Sequence, residues 1–107
     1  MFTVNYTGYA ERDLLFILDY ISDLLKSPVA AKNLLHEIEE HTKIIAENPF
    51  VFPLVRDEYL KKSGIRYIHV KNYFVFYTVE EDIHTITVIR IMYARRDWIN
   101  LLKGETY

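Results

Sequence analysis

Ile86-Thr87-Val88-Ile89-Arg90-Ile91-Met92-Tyr93-Ala94-Arg95-Arg96-Asp97-Trp98 decides the fold. Its β-branched and aliphatic run predicts a strand from Ile86 to Tyr93, closed by an aromatic and two arginines and followed by the start of a short helix. The apolar positions of such a strand face a core, so they hold the cations that follow at a fixed height. This stretch is the leading candidate for a working surface.

The chain upstream supplies the strand's partners. Tyr73-Phe74-Val75-Phe76-Tyr77-Thr78-Val79 is apolar almost throughout and predicts a central strand covered on both faces. Glu80-Glu81-Asp82 is the loop that follows it. Ile65 to Val70 is a third strand, joined to the second by a tight turn at Lys71-Asn72. Phe50 to Gly64 has no clean period and reads as an irregular charged connection. Before it, Ala31, Leu34, Leu35, Ile38, Thr42 and Ile45 recur at helical spacing in a helix that opens at Ser27-Pro28 and closes at Asn48-Pro49. A preceding helix runs from Ala10, with Thr7 as its cap and Leu14, Ile17, Leu18, Ile21, Leu24 and Leu25 as its buried stripe. Phe2 to Tyr6 alternates as a short N-terminal strand. The expected fold is therefore α+β: an N-terminal strand, a helical hairpin, then a three-stranded antiparallel meander with a short C-terminal helix, in one domain spanning residues 1–107.

Composition excludes several functions. With 107 residues, half of them apolar, the chain has material for a hydrophobic core, and no cysteine is present for a disulfide, a thiolate metal site or a thiol nucleophile. A reducing, cytoplasmic setting is expected; no apolar run approaches the ~20 residues of a membrane span. Three glycines, at 8, 64 and 104, leave no Gly-rich phosphate cradle, and Ser22, Ser27 and Ser63 lack a nucleophile elbow. Net charge is −2, against generic nucleic-acid binding, and it is polarised: residues 1–47 carry net −4 and residues 48–107 net +2.

His36 and His41 flank an acidic helical stretch and suggest zinc, but five steps of ~100° place the two rings roughly 140° apart on a helix. No metal and no cofactor is expected. Arg66, His69, Arg90, Arg95 and Arg96 are candidates to converge on one sheet surface, where arginines with a histidine or tyrosine supply the cation and the proton-transfer groups of RNA cleavage. The competing structural expectation is that Arg90 pairs with Glu80 or Asp82, and that Arg95 and Arg96 pair with Asp97 or cap the helix. Tyr93, beside the arginines, is the tyrosine singled out for function.

The order of elements and the ending Arg90-Ile91-Met92-Tyr93-Ala94-Arg95-Arg96-Asp97-Trp98 resemble the RelE/ParE superfamily, the toxins of type II toxin–antitoxin modules. The resemblance covers nearly the whole chain and includes Tyr6, Asn48-Pro49, Ile65-Arg66 and the Tyr73 to Val79 strand. It implies a growth-inhibiting, plasmid-stabilising type of toxin held inactive by a cognate antitoxin. RelE-like members are ribosome-dependent endonucleases that cut mRNA; ParE-like members poison DNA gyrase. On the first reading Arg66, His69, Arg90 and Tyr93 are catalytic; on the second Tyr93, Arg95 and Arg96 bind the target. Phe74 stands where the nucleases keep an arginine and the chain is mildly acidic, which favours the ParE-like reading and a protein that is not an enzyme. A plain protein-binding α+β module is the third reading. The antitoxin is expected along the hairpin and an exposed sheet edge, and Trp98 is expected to anchor the last helix.

Overall fold

In the computed structural model, which describes residues 1–107, the Thr7 hydroxyl accepts the Ala10 N–H at 3.0 Å and caps α1 (Gly8–Asp19) directly after β1 (Thr3–Tyr6). Ser27 caps α2 (Pro28–Glu47), with Pro28 in the first turn where a missing N–H costs nothing. There follow α3 (Glu58–Lys62), β2 (Arg66–Val70), β3 (Tyr73–Glu80), β4 (Thr85–Tyr93) and α4 (Trp98–Lys103). The fold is α+β, with the N-terminal strand, the antiparallel meander and the short last helix all in place.

The strands form one sheet in the order β1-β4-β3-β2. β3 is interior, as its unbroken apolar run requires, and so is β4, from which Ile86, Val88, Ile89, Ile91 and Met92 are all buried. The meander is antiparallel; β1, by contrast, lies parallel to β4, with Thr3 opposite Thr85 and Tyr6 opposite Val88. Alternating side chains build two cores on the two faces. On one, Ile17, Leu34, Ile38 and Ile45 of the hairpin pack on Ile68, Val75, Tyr77, Ile86, Val88 and Ile91. On the other, Val55, Leu60 and Leu102, flanked by Trp98, pack on Ile65, Phe76, Ile89 and Met92. Burying a Leu or Ile side chain fully contributes ~1.5–3 kcal/mol, and Leu34, Ile38 and Leu60 are each 1% exposed. No helix is long and apolar enough to cross a membrane.

Three local expectations are corrected. Phe50 to Gly64 is not wholly irregular: Asp57 accepts the Leu60 N–H at 3.1 Å and starts α3, which seats Leu60 in the second core. One and a half turns are too few to show a period, although the acidic cap and the closing Lys61-Lys62 pair suit a helix end to end. Leu24 and Leu25 are not on the buried stripe. After Asp19 the helix widens into a π-helical turn, Tyr20–Leu24, in which the Leu25 N–H reaches back five residues to the Tyr20 carbonyl. The extra residue rotates both leucines outward, leaving them 72% and 57% exposed. Finally, Phe2 does not extend β1, because its N–H bonds the Ala46 carbonyl at the end of α2.

Candidate functional site

β4 carries a bulge. Phe76 faces Arg90 and Tyr77 faces Val88, so Ile89 is the extra residue and Arg90 is turned toward the flank of the strand. β1 stops pairing at Val88, and from there α1 satisfies the strand edge: the Thr7 hydroxyl donates to the Ile89 carbonyl at 2.7 Å, and Asp13 Oδ2 accepts the Ile91 N–H at 2.9 Å. The same Asp13 carboxylate takes Arg90 Nε at 2.6 Å and Nη2 at 2.8 Å, while Glu105 takes Nη1 at 2.7 and 2.6 Å. Arg90 is 7% exposed. Burial alone would lower its pKa, but the hydrogen bonds and charges of Asp13 and Glu105 outweigh it and hold the pKa above the ordinary arginine value. Its partners are thus Asp13 and Glu105, not Glu80 or Asp82.

The other candidate residues lie apart from it. Arg66 sits opposite Tyr77 on β2, donates Nη1 to the Phe52 carbonyl at 2.7 Å and lies over the Phe50 ring, fastening the chain before α3. His69, exposed, is on the opposite face, its ring 4.9 Å from Phe74. Tyr93 closes β4 opposite Tyr73, four residues and roughly 13 Å along β3 from the level of Arg66. No hydrogen bond links any two of Arg66, His69, Arg90 and Tyr93.

Tyr93, Arg95 and Arg96 do come together. The Arg96 N–H bonds the Tyr93 carbonyl at 3.0 Å, the Ala94 N–H bonds the Asn72 carbonyl at 2.8 Å, and the tight turn so formed presents both arginines to solvent. Neither makes an ion pair: Asp97 instead accepts Asn100 Nδ2 at 2.7 Å. Trp98 packs 5.2 Å from Phe76 and 5.8 Å from Phe74, fixing the turn on the sheet. Beside it stands Tyr73, which the sequence marks only as a strand residue. Tyr73 meets Tyr93 edge-on at 5.9 Å, and its pKa is raised by burial and then by the Tyr20 and Tyr93 phenols nearby. The outer surface of the hairpin adds Leu15, Phe16, Leu24, Leu25 and Val29, each more than half exposed. The surplus of apolar positions on α1 over what one buried face can hold was the available signal. His41 does not face His36; its Nδ1 contacts the Glu37 carbonyl at 2.7 Å.

Residues 4–98 match the family model described as the ParE toxin of the type II toxin–antitoxin system parDE. Among solved structures, the chain is similar to one from the chromosomal ParDE system of P. aeruginosa, at 20% identity over 89% of this chain and 98% of that one, with a TM-score of 0.68. It is also similar to a chain of the RelBE2 toxin–antitoxin complex of Mycobacterium tuberculosis, at 20% identity over 86% and 90% with a TM-score of 0.61. A chain of the intact E. coli RelBE complex matches at 13% identity over 90% and 100%, with a TM-score of 0.58. A comparison with curated protein sequences gives no match.

Proposed function

The chain belongs to the ParE toxin family of type II toxin–antitoxin systems, and from that premise we propose that it inhibits growth by binding DNA gyrase through Tyr93, Arg95 and Arg96, without cleaving RNA. One observation carries the choice between the two activities. The arginine best placed on the key strand, Arg90, is enclosed by Asp13 and Glu105, whereas Arg95 and Arg96 stand unpaired beside the exposed Tyr93 and the half-buried Tyr73. Asp13 and Glu105 take up to four of the five guanidinium N–H donors of Arg90 and oppose its charge, which leaves it poorly suited to a phosphorane, and general acid–base catalysis further needs its groups within hydrogen-bond reach. Exposed arginines and tyrosines are the residue types that dominate protein–protein contacts.

A cognate antitoxin is the regulatory partner of this family. Its docking surface in this chain is the outer hairpin, where Phe16, Leu24 and Val29 each expose more than two thirds of their area, a stripe suited to an amphipathic segment. Inducible expression separates the readings. Growth arrest is expected with DNA double-strand breaks and intact transcripts; Arg95→Ala with Arg96→Ala weakens it, and His69→Gln leaves it unchanged. Codon-dependent mRNA cleavage in a purified translation system, lost on Tyr93→Phe, overturns the gyrase reading in favour of a ribosome-dependent endonuclease.

A further inference from the structure

Residues 104–107 are fastened to the body in an unusual way. No backbone hydrogen bond holds residues 105–107. Their attachments are the Glu105 carboxylate on Arg90, the Tyr107 ring edge-on to Tyr9 at 5.5 Å, and a hydrogen bond from the Tyr107 hydroxyl back to Glu105. Arg90 itself lies over the Tyr9 ring, 5.5 Å from its centre. The segment thus presents a carboxylate and, two residues later, an aromatic to a receptor made by Arg90 and Tyr9. It also forms one wall of a groove of about 460 Å³ whose other walls include Tyr59, Leu60, Ile65, Thr87, Ile89 and Leu102.

The geometry points to the seat of this strap, on Arg90 and Tyr9, as a second binding site, one that takes an extended acidic peptide segment from a partner protein, with the partner's carboxylate replacing Glu105 on Arg90 and an aromatic two residues on replacing Tyr107 on Tyr9. The site is independent of the Tyr93 surface. Asp13 remains on Arg90 throughout, through two guanidinium bonds and the Ile91 N–H, so the buried cation is never left without a counter-charge. The exchange trades one carboxylate for another, and the number of ion pairs is unchanged. What favours the resident segment is proximity: a short tether gives Glu105 an effective concentration in the millimolar range. A free peptide must match that concentration to enter, whereas a partner already docked elsewhere on the protein gains the same advantage and displaces the strap.

The test uses the full chain, which has no cysteine, with Thr106→Cys carrying a spin label, and a synthetic copy of residues 101–107 as the probe. In the otherwise unaltered chain the label is expected to be immobile and to be released by probe only at millimolar concentration. Adding Glu105→Gln should mobilise the label while cooperative melting persists, and the chain should then bind the probe at least tenfold more tightly. A probe carrying glutamine for its glutamate should bind neither protein. An equally immobile label after Glu105→Gln, equal probe affinity for both chains, or equal binding of the glutamine probe overturns the proposal. If Glu105→Gln does not fold, Tyr107→Ala makes the same test from the other contact: a looser label and tighter probe binding support the site, and no change in either refutes it.

Discussion

Asp13 is the residue on which the key strand depends, since one carboxylate satisfies a strand-edge N–H and neutralises the buried Arg90. Stranding a buried charge typically costs ~3–5 kcal/mol, and without Asp13 the buried Arg90 keeps Glu105 as a counter-charge, so the cost is expected below that range. Asp13→Asn is expected to lose about 1–3 kcal/mol, read from the urea midpoint. Tyr77 makes a milder case. Its hydroxyl donates to the Pro49 carbonyl at 2.9 Å, and burial pushes its pKa to about 12 despite the opposing pull of Arg66. The folded state keeps this proton more tightly than the unfolded one, which releases it near the ordinary value of 10.0. Its contribution is therefore complete below pH 10 and lost as pH rises through about 12. Melting temperatures should fall across that window; Tyr77→Phe should shrink the fall, while costing about 1 kcal/mol at neutral pH through the lost hydrogen bond. The sequence marked Arg90 as important but not its partner. Glu80 and Asp82 are near it along the chain, whereas Asp13 is 77 residues away and arrives only because α1 crosses the uncovered end of β4. Tyr93, Arg95 and Arg96 were legible as a group because a strand end and the turn after it are contiguous, and geometry that local needs no knowledge of the fold.

Among the elements, the hairpin and the meander could be read from period and punctuation alone, since each is long enough to repeat its pattern. α3 was hidden by its length and the π-helical turn by its nature, because one inserted residue leaves composition untouched while changing which side chains face the core. The turn makes a specific demand. Leu24 and Leu25 are exposed in the free protein, so Leu24→Ser with Leu25→Ser should change stability by no more than about 0.5 kcal/mol. The same pair should weaken antitoxin binding by tenfold or more in calorimetry. A helix with regular geometry through residue 25 would show the reverse: a large loss of stability and no loss of binding. Trp98 belongs to this scale as well. It ties α4 to Phe74 and Phe76, and Trp98→Ala should lower the melting temperature before it alters any contact made by the arginines.

At the scale of the whole molecule, one sheet serves two cores. Val75 and Tyr77 point into one and Phe76 into the other from the same strand, so neither core can melt without disturbing the backbone that supports its counterpart. Leu34→Ala on one face and Leu60→Ala on the other should each cost ~2–5 kcal/mol and shift the same single calorimetric transition. Two separate transitions would show that the faces are uncoupled. The parallel pairing of β1 with β4 was the global feature least visible in the sequence, since the strands it joins lie near opposite ends of the chain. It also sets an order of events during synthesis. β4 lies between β1 and β3 and is the strand on which β1 pairs. A nascent chain that has not reached Tyr93 has its first strand, its hairpin and the paired β2 and β3, but lacks the strand that joins β1 to them. Non-local pairing of this kind is slow to form. If Tyr93, Arg95 and Arg96 bind the target as proposed, they can be presented only after β4 has joined the sheet, and an antitoxin already present would meet the exposed apolar hairpin before that surface has taken shape.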